Sequence, residues 1–216
     1  MATTALVFDL DGTLVDSAGD IAEAVNLTLE ELALPRVSEA TVRSWIGEGV
    51  RNLVSTALAN AGSALTLEEV MSVFMRHYKA CLLRSPRLYD GVGEALTALQ
   101  ARGLPMAICT NKPAAMVAPL LQHLGIAGFF AHIIGGDSLP RRKPAAEPLL
   151  HVAGLLQQPV ADCLMVGDSG TDLGAANNAG MPIVLVRYGY SRDLDLDAAE
   201  AVAVIDDMRE LVSIVA

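Results

Sequence analysis

Short apolar runs recur along the chain, and each stops at a polar loop. Ala5–Phe8 stops at Asp9, Leu104–Cys109 at Thr110-Asn111, and His132–Ile134 at Gly135-Gly136-Asp137. Cys163–Val166 stops at Gly167-Asp168 and Ile183–Val186 at Arg187. Runs this short, without alternation, predict strands buried on both faces. Between them, helical periodicity predicts helices over Ala114–Leu124, Pro144–Leu156 and Thr171–Ala179. Pro113 suits a first-turn position, and Gly125 and Gly180 suit C-terminal caps. Strand, loop, helix, strand is the pattern of an open parallel α/β sheet.

One segment departs from that rhythm. From about Ser17 to Leu83 the pattern is helical throughout. Ser17-Ala-Gly-Asp20 reads as a variant capping box ahead of Ile21, Val25, Leu29 and Leu32, and Thr66-Leu-Glu-Glu69 as another ahead of Val70, Val73, Phe74 and His77. Shorter helices are expected around Glu39–Trp45 and Val50–Asn60. The expected division is a helical insert over residues 17–83 and a sheet-bearing core made of 1–16 and 84–216. An insert placed straight after the first strand falls over the carboxyl end of the sheet, where open α/β proteins bind ligands.

Composition narrows the function classes. The 216 residues carry 15 Lys+Arg against 25 Asp+Glu, a formal net charge of −10. Nucleic acid and anionic membranes call for a basic footprint, so neither is expected as a partner. With 52% hydrophobic and 19% charged residues the chain has ample material for a core and is unlike a disordered sequence. Cys81, Cys109 and Cys163 fit neither a zinc pattern nor a disulfide framework and read as free thiols in a reducing compartment. The stretch Met1–Asp9 has no basic region ahead of its apolar run, and no apolar run reaches the roughly 18 residues of a membrane span. The expectation is a cytoplasmic protein, monomer or homodimer.

The loops after the strands carry the candidate chemistry. Asp9-Leu-Asp11-Gly12-Thr places two carboxylates at the end of a buried strand, where a divalent cation such as Mg²⁺ is a natural neutraliser. Gly12 permits a sharp turn that exposes N–H groups to a phosphate, although an Asp-Gly pair alone also reads as an ordinary turn. Thr110-Asn111 offers a hydroxyl and a backbone N–H to phosphate oxygens, or else a helix cap. Lys143, after Arg141-Arg142, is either one buried ammonium or part of a solvated basic run. Gly167-Asp168-Ser-Gly-Thr-Asp172 supplies a second pair of carboxylates, or a turn and a cap. All four sets fall at the same edge of the predicted sheet, which favours one metal–phosphate site over separate coincidences.

In that order, Asp-x-Asp-Gly-Thr, Thr-Asn, Lys-Pro and Gly-Asp-Ser-x-x-Asp, the motifs resemble those of the haloacid dehalogenase superfamily across essentially the whole chain. The resemblance implies a Rossmann-like doubly wound parallel sheet with an inserted α-helical cap. It implies Asp9 as a nucleophile that takes up the phosphoryl group and Asp11 as general acid and base. Thr110, Asn111 and Lys143 would hold the phosphate. Mg²⁺ would be bound by Asp9, Asp168 and the carbonyl of Asp11, with Asp172 orienting the metal shell. The implied partner is a small phosphorylated metabolite.

Within the superfamily, Asp11 argues against the dehalogenase branch, because a halide leaves without a proton. Arg43-Ser-Trp-Ile-Gly47-Glu-Gly49-Val-Arg51 and Tyr188-Gly-Tyr190-Ser resemble the bacterial phosphoglycolate phosphatase branch. Gly47 and Gly49 would then offer N–H groups to a substrate carboxylate, and Arg43 or Arg51 a cation. A plain helix–helix turn with Trp45 packed as core fits the same residues. A sugar-phosphate phosphatase, for instance one acting on N-acetylmuramic acid 6-phosphate, or a β-phosphoglucomutase-like phosphotransferase would share the catalytic set. A receiver-like phosphoprotein would order its motifs differently.

Overall fold

The computed structural model describes residues 3–215; Met1 and Ala2, at the start of the stretch read for a signal peptide, lie outside it. Six parallel strands form one sheet. They are β1 (Ala5–Phe8), β4 (Met106–Cys109), β5 (Phe130–Ile134), β6 (Cys163–Gly167), β7 (Ile183–Val186) and β8 (Ala203–Ile205). Their spatial order is β5-β4-β1-β6-β7-β8, so β1 lies between β4 and β6. The register pairs Val7 with Ala107 on one side and with Met165 on the other.

Both faces of the sheet are covered, which explains the uninterrupted apolar runs. Leu6 and Phe8 pack on one face against α5 (Val92–Ala101), α6 (Ala114–His123) and α9 (Glu210–Ile214). Ala5 and Val7 pack on the other against α7 (Glu147–Leu155) and α8 (Gly170–Ala179). The sequence pattern announces neither α5, β8 nor α9. Helix α7 begins at Glu147 rather than Pro144, because Lys143–Ala146 turns through the site first, with Ala145 N donating to Arg142 O.

The helical segment comprises α1 (Ala18–Glu31), α2 (Glu39–Arg43), α3 (Val50–Asn60) and α4 (Leu67–Cys81). They share a second hydrophobic cluster in which Val25, Leu29, Leu53, Phe74 and Tyr78 are buried. The box at Thr66–Glu69 forms, with Glu69 accepting from Thr66 N. The one expected at Ser17–Asp20 does not. Ser17 Oγ donates to Asp11 instead, and Asp20 accepts from Ser85 N and Oγ. Two short strands flank the helices, β2 (Val15–Asp16) and β3 (Arg87–Leu88), paired antiparallel. No helix among the described residues is long and apolar enough to cross a membrane, and all three cysteines are buried and free.

Phe74 is fully buried at the centre of the helical cluster. Phe74→Ala should destabilise the protein by about 3–5 kcal/mol in urea unfolding; a loss below about 1 kcal/mol would mean that the helices collapse onto the gap.

Candidate active site

The central strands end side by side, and their last residues deliver the polar groups. Asp9 follows β1, Thr110 follows β4 and Asp168 follows β6, all three buried. Lys143 reaches in from the loop between β5 and α7, and Asp172 from the first turn of α8. Carboxylate oxygens of Asp9, Asp168 and Asp172 lie within 4.8 Å of one another.

Each of these carboxylates is held differently. Asp172 accepts from Lys143 Nζ at 2.6 Å with one oxygen, and from Asp168 N, Ser169 N and Ser169 Oγ with the other. Asp168 accepts from Thr13 Oγ1 and from Tyr190 N, each at 2.7 Å. Asp9 Oδ1 lies 2.9 Å from Lys143 Nζ, but outside hydrogen-bonding angles, and accepts no hydrogen bond among the described residues. Burial pushes the Asp9 carboxyl up to about 6 despite Lys143. Burial, with Asp172 and Asp9 nearby, pushes Asp168 well above the usual carboxylate range. Burial alone would favour a neutral Lys143, but Asp172 and Asp9 outweigh it and hold the ammonium above the ordinary lysine value.

That balance tests the expected metal. Three buried carboxylates face one ammonium, and one of their oxygens has no donor. An all-oxygen, negatively charged set suits a hard divalent cation such as Mg²⁺. Asp9 and Asp168 have lone pairs to offer, since each Asp168 oxygen takes a single donor; Asp172 is engaged by Lys143 on one oxygen and by three donors on the other.

Asp11 stands apart from this cluster. Its carboxylate accepts from Ser17 Oγ at 2.6 Å and from Lys112 Nζ at 2.9 and 3.0 Å. Only its main chain remains for a metal, which is the contact that the resemblance implies. Gly12 corrects the sequence reading. Its N–H is tied to Val15 O at 2.9 Å, so it is not a free phosphate donor. Its φ is +93°, and a Cβ there would fall 2.3 Å from Asp168 Oδ2, so this glycine makes room for the carboxylate.

Lys112 was missed by the sequence reading. It is buried, and its ammonium also donates to the hydroxyl of Tyr78 on α4. Burial opposes its charge, but Asp11 and Tyr78 hold it above the ordinary lysine range. Its one sequence signal is position, directly after Thr110-Asn111 at a strand end. Tyr190 also does more than its motif suggested. Its backbone N–H holds Asp168, while its hydroxyl accepts from Ser17 N and Ala18 N and donates to Asp16.

A narrow cleft, with a cavity volume of about 40 Å³, opens over Asp9 between the sheet edge and the helices. Asp9, Asp11, Thr110, Asn111 and Lys112 line it from below, and Trp45, Gly47, Gly49 and Tyr78 are among its upper walls. Asn111 Nδ2 donates to Gly47 O and to Lys143 O, tying the two sides together. Arg43 is not part of the lining. It pairs with Asp16 at 3.2 Å and lies over the Tyr190 ring. Arg51 pairs with Glu68 on the surface.

A family model described as haloacid dehalogenase-like hydrolase matches residues 3–180. A Cupriavidus necator protein named "Phosphoglycolate phosphatase, plasmid" is 40% identical over 96% of this chain and 91% of its own. The phosphoglycolate phosphatase of Colwellia psychrerythraea is 41% identical over 89% of this chain and 88% of its own. A solved structure from Haemophilus somnus 129pt, described as a predicted phosphoglycolate phosphatase, superposes with a TM-score of 0.93. It is 34% identical and covers 100% of this chain and 99% of its own.

The raised carboxyl of Asp9 sets a pH dependence. Metal has to displace a proton from Asp9 below about pH 6, and the raised carboxyl of Asp168 adds to the competition from protons. Added Mg²⁺ should therefore raise the melting temperature more at pH 7.5 than at pH 5, by linkage. Asp168→Asn should abolish the rise; an equal rise at both pH values would mean that no proton is displaced.

Proposed function

The chain belongs to the haloacid dehalogenase-like hydrolases, and from that membership we propose that it is a Mg²⁺-dependent phosphatase for phosphoglycolate, acting through a phosphorylated Asp9. The observation that carries this reading is Asp9 itself. It is a buried carboxylate at a strand end, with one oxygen lacking a donor, beside Lys143 and open to the cleft. Relatives at about the 40% level that bear the name of that phosphatase support the substrate.

In this reading residues 17–83 are a cap over the core, and the chemistry follows from the groups below it. Asp9 attacks phosphorus as the bond to the leaving alkoxide breaks, and Asp11 gives that alkoxide its proton. Asp11 then takes a proton from water, which attacks the Asp9 phosphate and releases inorganic phosphate. Asp11 enters the first step as the acid, and Ser17 and Lys112 fix its carboxylate for the second, where it is the base. The Thr110 hydroxyl donates to a phosphoryl oxygen, and Lys143 neutralises charge next to the nucleophile. Asp9, Asp168 and the main chain at Asp11 would hold Mg²⁺, which would supply the remaining positive charge that lets a carboxylate approach a phosphate dianion. Asp172 keeps Lys143 in line and takes no direct part.

Asp9→Asn should abolish turnover while leaving the melting curve cooperative. Residual Mg²⁺-dependent activity would remove Asp9 from the nucleophile's role. Asp11→Asn should slow hydrolysis of alkyl phosphates by about 10²–10⁴-fold, the range for a lost general acid, and a near-normal rate would assign the proton elsewhere. A panel of phosphoglycolate, sugar phosphates and nucleoside monophosphates, compared by kcat/KM, tests the substrate. A sugar phosphate at the head of the panel would replace phosphoglycolate and leave the chemistry intact.

A further inference from the structure

The inference below rests on the phosphoglycolate reading and concerns how the substrate's second anion is recognised. The helical wall of the cleft is largely apolar, with Ile21, Ile46, Val50 and Leu53 facing it. A carboxylate left unpaired there would be costly. The arginines that the sequence offered are engaged outside the cleft, Arg43 with Asp16 and Arg51 with Glu68. Among the described residues that line the cleft, Lys112 alone carries a basic side chain.

The position of Lys112 sets which carboxylate it can meet. Its ammonium touches both oxygens of Asp11, at 2.9 and 3.0 Å. Asp11 works on the leaving oxygen. In the phosphate ester of a 2-hydroxy acid, the carboxyl carbon is two bonds from that oxygen. A cation in contact with Asp11 is therefore beside the substrate carboxylate whenever Asp11 is beside the leaving oxygen. The ammonium's three donors now go to the two Asp11 oxygens and the Tyr78 hydroxyl. Exchange of one Asp11 contact for a substrate oxygen keeps every donor satisfied.

We propose that Lys112 is the specificity-determining residue of this site, its ammonium, oriented by Tyr78 of α4, receiving the carboxylate of a phosphate ester of a 2-hydroxy acid. Selectivity for that substrate class then comes from a core lysine, with the helical segment contributing the hydroxyl that aims it.

The test compares phosphoglycolate with 2-hydroxyethyl phosphate, which is similar in size but lacks the carboxylate. Steady-state kinetics are measured for wild type, Lys112→Met and Tyr78→Phe, with melting curves to establish folding. The ratio of kcat/KM for the two substrates should favour phosphoglycolate in the wild type. In Lys112→Met it should fall by about 10–100-fold, the worth of a hydrogen bond to a charged group. In Tyr78→Phe it should fall less, mainly through KM for phosphoglycolate. Should Lys112→Met fail to fold, Tyr78→Phe decides, since it removes one hydroxyl. Equal losses on both substrates would confine Lys112 to positioning Asp11 and overturn the proposal. A wild-type preference that survives in the variants also overturns it, and leaves the phosphoglycolate reading standing. A wild type without preference overturns both.

Discussion

Three carboxylates buried around a single ammonium are the constraint on which the rest of this molecule depends. Asp9, Asp168 and Asp172 are nearly sealed from water, and Asp9 and Asp172 share Lys143. Buried like charges at such spacing oppose folding unless donors and cations are supplied locally. The surroundings of the cluster supply them. Ser169 Oγ and the amides of Asp168 and Ser169, just ahead of α8, serve Asp172, Thr13 and the Tyr190 amide serve Asp168, and Asp9 Oδ1 has only its ion pair to Lys143. The arrangement leaves the three carboxylates short of positive charge, with Asp9 the member of the cluster that lines the cleft.

The same constraint explains the sheet. Strands β1, β4 and β6 are neighbours, so their three C-terminal loops converge without long side chains having to reach. A second acid–base pair sits just beyond them. Asp11 and Lys112 are joined to Ser17 and Tyr78, the latter on the fourth helix of the inserted segment. The cleft thus has a charged floor in two halves, three carboxylates around one ammonium beside a single carboxylate–ammonium pair.

Much of this was legible in the sequence because it is local. Apolar runs of four to six residues that stop at a polar loop marked β1, β4 and β6 and the residues that follow them, to within two positions. The helices of the inserted segment were legible from periodicity, and the Thr66–Glu69 box formed as read. What escaped depends on distant partners. Ser17 has the spacing of a cap, yet its hydroxyl donates to Asp11 instead of accepting from a helix amide. Gly12 has the composition of a phosphate loop, but its N–H closes a turn onto Val15. Lys112 is one residue beyond a recognised pair, and nothing local tells a buried lysine from an exposed one. Helix α5 and the C-terminal β8 and α9 lack the strong caps that would set them off from their loops.

The clasp made by Tyr190 has a consequence for the order in which the site is completed. Its hydroxyl binds Ser17 N across a separation of 173 residues, and its amide holds Asp168. As the chain leaves the ribosome, the α-helical segment can pack on its own short-range contacts. The first strand, already translated, has no neighbour until β4 appears, and Asp168 has no second donor until Tyr190 follows. A nascent chain halted before Tyr190 thus carries every acidic group of the site and lacks the amide that seats Asp168. The seat of Asp168 is complete only once Tyr190 has been added.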